Sequence, residues 1–414
     1  MDSTGSAGVT FHGNGKRPAF FRGFDPSKVP SPAFVIDKAA IQYNLDVLGE
    51  IMELSGANII LALKGFSMFH LAPQISSILK GTAASSVYEA RLGREEFGKE
   101  VHVYAPAFKE EEFTELLKIA DHIVFNSFSQ WKHYREQALT AQAQREGIHF
   151  GLRINPEHSE GTIPLYDPCA AHSRFGVTEK EFREEEDEPA GLEGLAGLAG
   201  ISGLHFHTLC EQGAEPLERT LKVVIKKFGH VLKNMSWINF GGGHHITGDD
   251  YNRRLLIDCI KMMRNEYNLT VYIEPGEAIA IHTGILLTTV LDTLHNGMDV
   301  AILDASATCH MPDTLEMPYR AEIWGAADPG TLPCLYRLGS QTCLAGDVMG
   351  DYSFSSALKR GQRLIFNDMA HYTMVKTTTF NGIPLPAICT FDSRNGAYEV
   401  VKTFNYNDFR NRLS

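Results

Sequence analysis

The chain has 414 residues, 43% of them apolar and 21% charged, which excludes an intrinsically disordered chain and suits two or three domains, or one large barrel with an appendage. Fifty acidic residues against thirty-eight Lys+Arg leave a net charge of −12, so nonspecific nucleic-acid binding, which needs a basic excess, is not expected. No apolar run reaches the ~20 residues of a membrane helix.

Residues 1–29 read as a disordered tail, since Met1–Gly15 is rich in Gly, Ser and Thr and has no apolar signal core. Ser31–Asp37 (SPAFVID) is the first strand-like run. Eight short β-prone runs follow: Asn58–Lys64, Gly81–Val87, Val101–Ala105, His122–Asn126, His149–Asn155, Ile201–His207, Trp237–Gly243 and Thr270–Gly276. Most are flanked by longer segments with helical spacing, such as Glu110–Ala120 and Leu217–Leu232. Buried parallel strands read as apolar runs and each needs a crossover, so eight units imply an α/β fold, a (β/α)8 barrel over residues 38–280. Two segments interrupt it. Arg183–Glu188 (REEEDE) reads as a solvated loop, and Gly191–Gly203 as a Gly/Leu-rich loop into the sixth strand. Beyond Gly276 come β-branched runs at Ile281–Leu294, Val300–Asp304, Arg363–Phe366 and Ala387–Phe391. They predict a mostly β second domain, residues 281–414, that takes in 30–37 as an extra strand.

Seven cysteines (169, 210, 259, 309, 334, 343 and 389) include no Cys-x-x-Cys pair. Reduced thiols in a cytoplasmic protein are therefore expected, with neither a disulfide framework nor a cysteine zinc site. His244 and His245 adjoin a glycine triplet but have no acidic or cysteine partner nearby in sequence, so no metal site is expected there.

Barrel active sites lie at the C-terminal ends of the strands. Those ends carry Lys64, Ser85 and Ser86, Arg153, His207, Gly241–Gly243, Glu274 and Glu277. The set suits an anionic, planar, nitrogen-containing cofactor. Desolvation at a barrel mouth can free Lys64 as a neutral amine for a Schiff base, although alone it reads first as a snorkelling strand-end lysine. The glycines permit close approach of backbone N–H groups to a phosphate. His207 is either a core histidine or a ring that stacks on a cofactor. Glu274 can keep a pyridine nitrogen protonated.

Lys64 in Ala62-Leu63-Lys64, the Leu152–Asn155 strand, Ser173–Gly176, His205-Phe206-His207, Gly241–Gly243, Glu274-Pro275-Gly276 and Cys343 with Asp347 occur in an order that resembles the ornithine/diaminopimelate decarboxylases. These are pyridoxal-phosphate enzymes of the alanine-racemase fold (fold type III). The likeness runs from about Pro30 to the C-terminus. Within the group, His207–Glu211, Glu274–Glu277, Cys309–Asp313 and Cys343–Asp347 resemble the carboxynorspermidine/carboxyspermidine decarboxylase branch.

The resemblance implies a pyridoxal 5'-phosphate-dependent carboxy-lyase of polyamine biosynthesis. Lys64 would hold the cofactor covalently, His207 would stack on its ring and Glu274 would bind its ring nitrogen. Gly241, Gly242, Gly243 and Tyr372 would hold phosphate, and Arg153 would back the ring-side network. Cys343 of a partner subunit would protonate the carbanion, so a homodimer with shared active sites is implied. The sequence departs from ornithine and diaminopimelate decarboxylases at Glu277, where they carry a phosphate-binding Arg, and at Cys210, where Ser is common. Glu277, Asp313 and Asp347 are candidates for the distal cations of a carboxylated polyamine substrate. The alternatives are another basic amino-acid decarboxylase (diaminopimelate, ornithine or arginine) and a non-catalytic polyamine-pathway binding protein, which would have no need of Lys64 and Cys343.

Overall fold

The computed structural model describes residues 17–161, 163–186 and 198–414. Strand β1 (Ala33–Asp37) is followed by β2 (Asn58–Ala62), β3 (Gly81–Ala84), β4 (Glu100–Tyr104), β5 (His122–Phe125), β6 (His149–Arg153), β7 (Ile201–His205), β8 (Trp237–Asn239) and β9 (Thr270–Ile273). Strands β2 to β9 pair in parallel, and β2 closes on β9 through Asn58 opposite Tyr272, so the eight runs form a closed barrel. Helices make the crossovers. In Ala214–Leu232, Leu217, Leu221, Val224, Phe228 and Val231 recur at alternating spacings of four and three and are buried. This apolar stripe fixes which face packs inward, and each fully buried side chain contributes ~1.5–3 kcal/mol.

The barrel interior is filled by side chains. Ile60, Val124, Trp237 and Tyr272 pack together. The Trp237 indole lies where side chains at Gly151 and Gly203 would otherwise be, so the glycines of β6 and β7 make its slot.

The chain divides into two compact units, Asn44–Ile279 with the barrel, and Pro18–Tyr43 with Ala280–Ser414. The second contains β1 together with β10 (Gly284–His295), β11 (Asp299–Leu303), β12 (Ala326–Ala327), β13 (Cys334–Ser340), β14 (Val348–Phe354), β15 (Arg363–Phe366), β16 (Ala387–Asp392) and β17 (Ala397–Lys402). They form one sheet in the order β12-β14-β13-β11-β10-β1-β16-β17, with β15 also on β10. Strand β1 runs antiparallel to β10 and parallel to β16, as the expected extra strand. Alternation along the strands separates two cores: Phe34, Leu286, Leu338 and Phe366 on one side, Val35, Ile285, Leu287, Cys389 and Phe391 on the other.

Two expectations need correction. Residues 17–29 are not a disordered tail: Phe21 and Val29 are buried, and Phe21 stacks on Phe391 at 6.0 Å, covering an apolar face of the sheet; residues 1–16 lie outside the described ones. The acidic run is not a loop at its start, because Glu179–Glu186 is a helix that buries Phe182 and carries an Arg183–Glu179 pair one turn apart. Residues 187 and 188, and 191–197 of the Gly/Leu-rich stretch, lie outside the described residues; Gly203 is within β7. All seven cysteines are free. No helix among the described residues is long and apolar enough to cross a membrane.

Candidate active site

Side chains that leave the packed interior at the C-terminal ends of the barrel strands form the site. Lys64 follows two residues after β2. It is open to solvent on one side and closely surrounded by protein elsewhere, so desolvation lowers its pKa; Glu274 opposes that fall and Arg153 adds to it.

Glu274 follows directly on β9. Its Oε1 accepts a hydrogen bond from Asn239 Nδ2 at 2.6 Å, and its Oε2 lies 3.5 Å from His205 Nε2. Burial raises its pKa, but His205, and after it His102 and Asn239, outweigh burial and hold the carboxyl at about 2. Burial pushes His205 below the ordinary histidine range.

His207, two residues on, accepts the Gly242 N–H at Nδ1 at 2.8 Å. That bond places the neutral ring's proton on Nε2. Burial, then the charges of Lys64 and Arg153, holds His207 well below its usual range. Arg153 ends β6, is 5% exposed, and lies 4.5 Å over the Tyr104 ring and 4.7 Å over Phe175. Tyr104 in turn stacks on His205 at 5.4 Å and donates to Asn126 Oδ1 at 2.6 Å. A cation–π sandwich thus braces the wall behind Glu274.

The glycine triplet differs from a simple phosphate cradle. Gly241 N–H donates to Asn239 Oδ1 and Gly242 N–H to His207, both at 2.8 Å. Two of the three expected amides are spent on orienting Asn239 and His207, which leaves Gly243 as the phosphate candidate. Glycine is still required: a Cβ on Gly242 would stand 2.6 Å from the Glu274 carbonyl, and Gly241 and Gly243 have φ of 70° and 82°.

The segment after β7 pairs with the segment after the glycines, through Gln212 N–H to Gly243 O (3.0 Å) and His245 N–H to Gln212 O (3.1 Å). This brings Glu211 beside His245. Glu277, first residue of the short helix Glu277–Ala280, has Oε2 3.2 Å from His245 Nε2. One donor atom from each of Glu211, His245 and Glu277 lies within 4.8 Å of the other two. The expectation that His245 has no acidic neighbours is thus overturned: its partners lie 34 and 32 residues away along the chain and meet only through the strand-end pairing. Burial raises the Cys210 thiol's pKa, Glu211 and Glu277 push it further up, and Lys64 pulls it back, so the acidic cluster and Lys64 act on one thiol.

Tyr372, Asp313, Cys343 and Asp347 belong to the second unit. Asp347 is not available to a substrate cation as expected. It is 3% exposed and its carboxylate accepts from Ser306 Oγ, Ser340 Oγ, Thr342 Oγ1 and Thr308 N–H at 2.5–3.1 Å, tying together the turn that precedes β14. Cys343 lies in that turn, exposed, with its N–H donating to Asn381 Oδ1 at 2.8 Å. Asp313 Oδ2 accepts from Tyr319 and Thr373, while its buried Oδ1 has no hydrogen-bond partner among the described residues. Tyr372, beside Thr373, has a φ of 52°.

The His205-Phe206-His207 motif assigned no role to His205, although it alternates like a strand that turns both rings to one face. Glu89, which no motif marked, accepts from Ser85 N–H at 2.6 Å; burial raises its pKa, and Ser85 and Lys64 pull it back. The Ser86-x-x-Glu89 helix start is the signal that could have found it.

Residues 33–370 match the family described as "Pyridoxal-dependent decarboxylase, C-terminal sheet domain". The chain belongs to this family. It is 45% identical to a carboxyaminopropylagmatine decarboxylase of Synechocystis, over 94% of this chain and 96% of the relative. It is 40% identical to a carboxynorspermidine/carboxyspermidine decarboxylase of Campylobacter jejuni, over 92% and 98%. The crystal structure of carboxynorspermidine decarboxylase complexed with norspermidine from Campylobacter jejuni superposes with a TM-score of 0.82 at 38% identity, covering 93% of this chain and all of that one. This family member is a pyridoxal-phosphate-dependent decarboxylase. Its residues fit the cofactor: a lysine with a lowered pKa, an ionised buried carboxylate and an imidazole of fixed tautomer surround glycines where any Cβ would collide.

Proposed function

We propose that this decarboxylase acts on a carboxylated polyamine, converting carboxynorspermidine and carboxyspermidine to norspermidine and spermidine. The observation that carries the reading is the Glu211–His245–Glu277 cluster in the barrel unit. Two carboxylates against one imidazole attract a substrate's distal cation, whereas the Arg of ornithine and diaminopimelate decarboxylases at the Glu277 position serves phosphate.

Pyridoxal phosphate supplies a protonated ring that accepts the electron pair released as carbon dioxide leaves. Lys64, kept partly desolvated, would provide the amine that holds the cofactor. Glu274 keeps the proton on the ring nitrogen, and His205, Asn239 and the Arg153–Tyr104 wall fix its orientation. His207 is assigned the ring face. Phosphate falls to Gly243 and, by the family likeness, to Tyr372. The partnerless Asp313 Oδ1 supports a second cation contact. Cys343 is assigned the proton returned to carbon, and Asp347 positions its turn. The likeness also assigns a cytoplasmic homodimer in which Cys343 serves the partner's site.

The similarity to a carboxyaminopropylagmatine decarboxylase favours a second substrate of the same class, ending in a guanidinium, whose planar fork can bridge two carboxylates. Measuring kcat/KM for the three carboxylated polyamines beside diaminopimelate, ornithine and arginine, with products identified by chromatography, tests the proposal. The carboxylated polyamines should lead. Ornithine or diaminopimelate turning over as fast would overturn the substrate reading.

A further inference from the structure

The segment that carries Tyr372 is fastened through one carboxylate. Asp368, two residues after β15, holds two histidines. Its Oδ1 accepts the His282 backbone N–H at 2.5 Å and lies 3.5 Å from His371 Nε2, while its Oδ2 lies 3.0 Å from His282 Nδ1. His282 comes two residues before β10. Strands β10 and β15 run antiparallel with Leu286 opposite Phe366, so this register brings His282 to Asp368. Met369 N–H donates to the Gly284 carbonyl at 2.9 Å, and Ala370 fills the space that a side chain on Gly284 would need.

The backbone at this point is strained. His282, Asp368 and Tyr372 have φ of 60°, 55° and 52°, a left-handed region that residues with a Cβ seldom adopt and that persists only where the surroundings enforce it. The enforcement reaches Tyr372. His371 meets Asp368 through Nε2, and its ring stands edge-on to the Tyr372 ring at 6.3 Å. Lys376 N–H donates to the Tyr372 carbonyl at 3.1 Å, and Thr373 Oγ1 donates to Asp313 at 3.1 Å. His282, Asp368, His371 and Tyr372 thus form one connected line. Burial raises the pKa of Asp368, but the two histidines outweigh burial and hold the carboxyl well below the usual carboxylate range.

We propose that Asp368 is a positioning residue for the cofactor phosphate: through His282 and His371 it fixes the orientation in which Tyr372 meets that group. The inference rests on the assignment of phosphate to Tyr372. The barrel unit explains why that orientation matters. The Gly241 and Gly242 N–H groups are already bonded to Asn239 and His207, and Glu277 stands where ornithine and diaminopimelate decarboxylases carry a phosphate-binding Arg. A larger share of the phosphate hold therefore falls to Tyr372, whose hydroxyl can donate one charge-assisted hydrogen bond to an anion. Relaxing the strained backbone would turn that hydroxyl away.

The test titrates the apoenzyme, as the full chain, with pyridoxal phosphate and separately with pyridoxal, which has the same ring and aldehyde but no phosphate. Absorbance reads both, and the ratio of the two dissociation constants isolates what phosphate contributes. Asp368→Asn keeps the shape and removes the charge. It should weaken pyridoxal phosphate by ~10-fold or more, the usual worth of a hydrogen bond to a charged group, and leave pyridoxal unchanged. Tyr372→Phe should do the same, and the double variant should lose little more than either single one, because the two residues act as a unit. His282→Gln, at the exposed end of the bridge, should show a smaller loss in the same direction and serves if Asp368→Asn does not fold. Equal losses on both ligands would mean that Asp368 supports only the fold, and would overturn the proposal. Undiminished pyridoxal phosphate binding in Asp368→Asn beside a loss in Tyr372→Phe would overturn it too, with the assignment of Tyr372 left standing. No loss in Tyr372→Phe would overturn that assignment, and the proposal with it.

Discussion

Lys64 and Glu274 do opposite things with burial. Desolvation lowers the lysine's pKa and favours its amine, while the same environment would neutralise Glu274 if His205 and Asn239 did not hold it ionised. Lys64→Ala should therefore abolish the borohydride-reducible adduct, and peptide mass mapping of the wild type should locate it on Lys64; an adduct on another lysine would refute the site. Glu277→Gln keeps the shape and removes a charge. It should cost about 2–5 kcal/mol in kcat/KM for a carboxylated polyamine, the range for truncating one partner of a buried charge pair, and should leave short substrates and the cofactor spectrum unaltered. Equal losses on long and short substrates would mean that Glu277 supports the cofactor. Lys64, Glu274 and His207 were legible because each sits at a strand end in a run whose period reveals it. Glu211 and His245 were not, because no local pattern announces a contact made by two loops pairing across 34 residues. Asp347 was misread for a related reason: sequence shows an acid beside Cys343 but not the four donors that saturate it.

At the scale of elements, the eight barrel strands were readable as apolar runs because parallel strands are buried on both faces. Strands β12, β13, β14 and β17 escaped notice. β17 alternates with little burial, and β14 is broken by Gly350 with a φ of 128°. The glycines inside the barrel strands carry a different message. A methyl group on Gly203 would overlap the Trp237 indole, so Gly203→Ala should lower stability by ~1–3 kcal/mol or more, the range for overpacking a filled core. A thermal melt checks it, and an unchanged Tm would mean that the slot is looser than described. In the second unit, His310 accepts the Ser306 N–H at Nδ1 (3.1 Å) and faces the Pro384 carbonyl from Nε2 (3.0 Å). Burial lowers its pKa to about 4, against a smaller upward pull from Pro384. Its stabilising contribution is therefore complete above about pH 6.5. As pH falls, the unfolded chain takes up a proton that the folded ring refuses, and about 3 kcal/mol is lost by pH 4. His310→Gln should flatten the pH dependence of the urea-unfolding free energy between 6.5 and 4 by one proton; an identical slope would show that the ring titrates freely.

At the scale of the whole molecule, the assigned roles raise the question of how many chains make a site. Cys343 lies in a turn held by Asp347 and Asn381, all within the second unit, while Lys64 and Glu274 belong to the barrel unit. If each site of a homodimer takes its lysine from one chain and its thiol from the other, Lys64→Ala and Cys343→Ala are inactive for separable reasons. The first lacks the covalent hold on the cofactor. The second should keep the cofactor spectrum and lose ~10²–10⁴-fold in turnover, the usual contribution of general acid catalysis. Mixing the two under conditions that exchange subunits puts both defects into one site of each mixed dimer and leaves its other site intact. With random pairing, half the dimers are mixed, so activity should rise to about a quarter of that of the wild type, a fraction fixed by twofold symmetry. The rise should depend on exchange: mixing without subunit exchange should recover nothing. No recovery despite exchange, verified by mass spectrometry of the mixed dimer, would place Lys64 and Cys343 of one chain in the same site. Wild-type turnover in Cys343→Ala alone would remove the thiol from the chemistry and leave the proton to another donor.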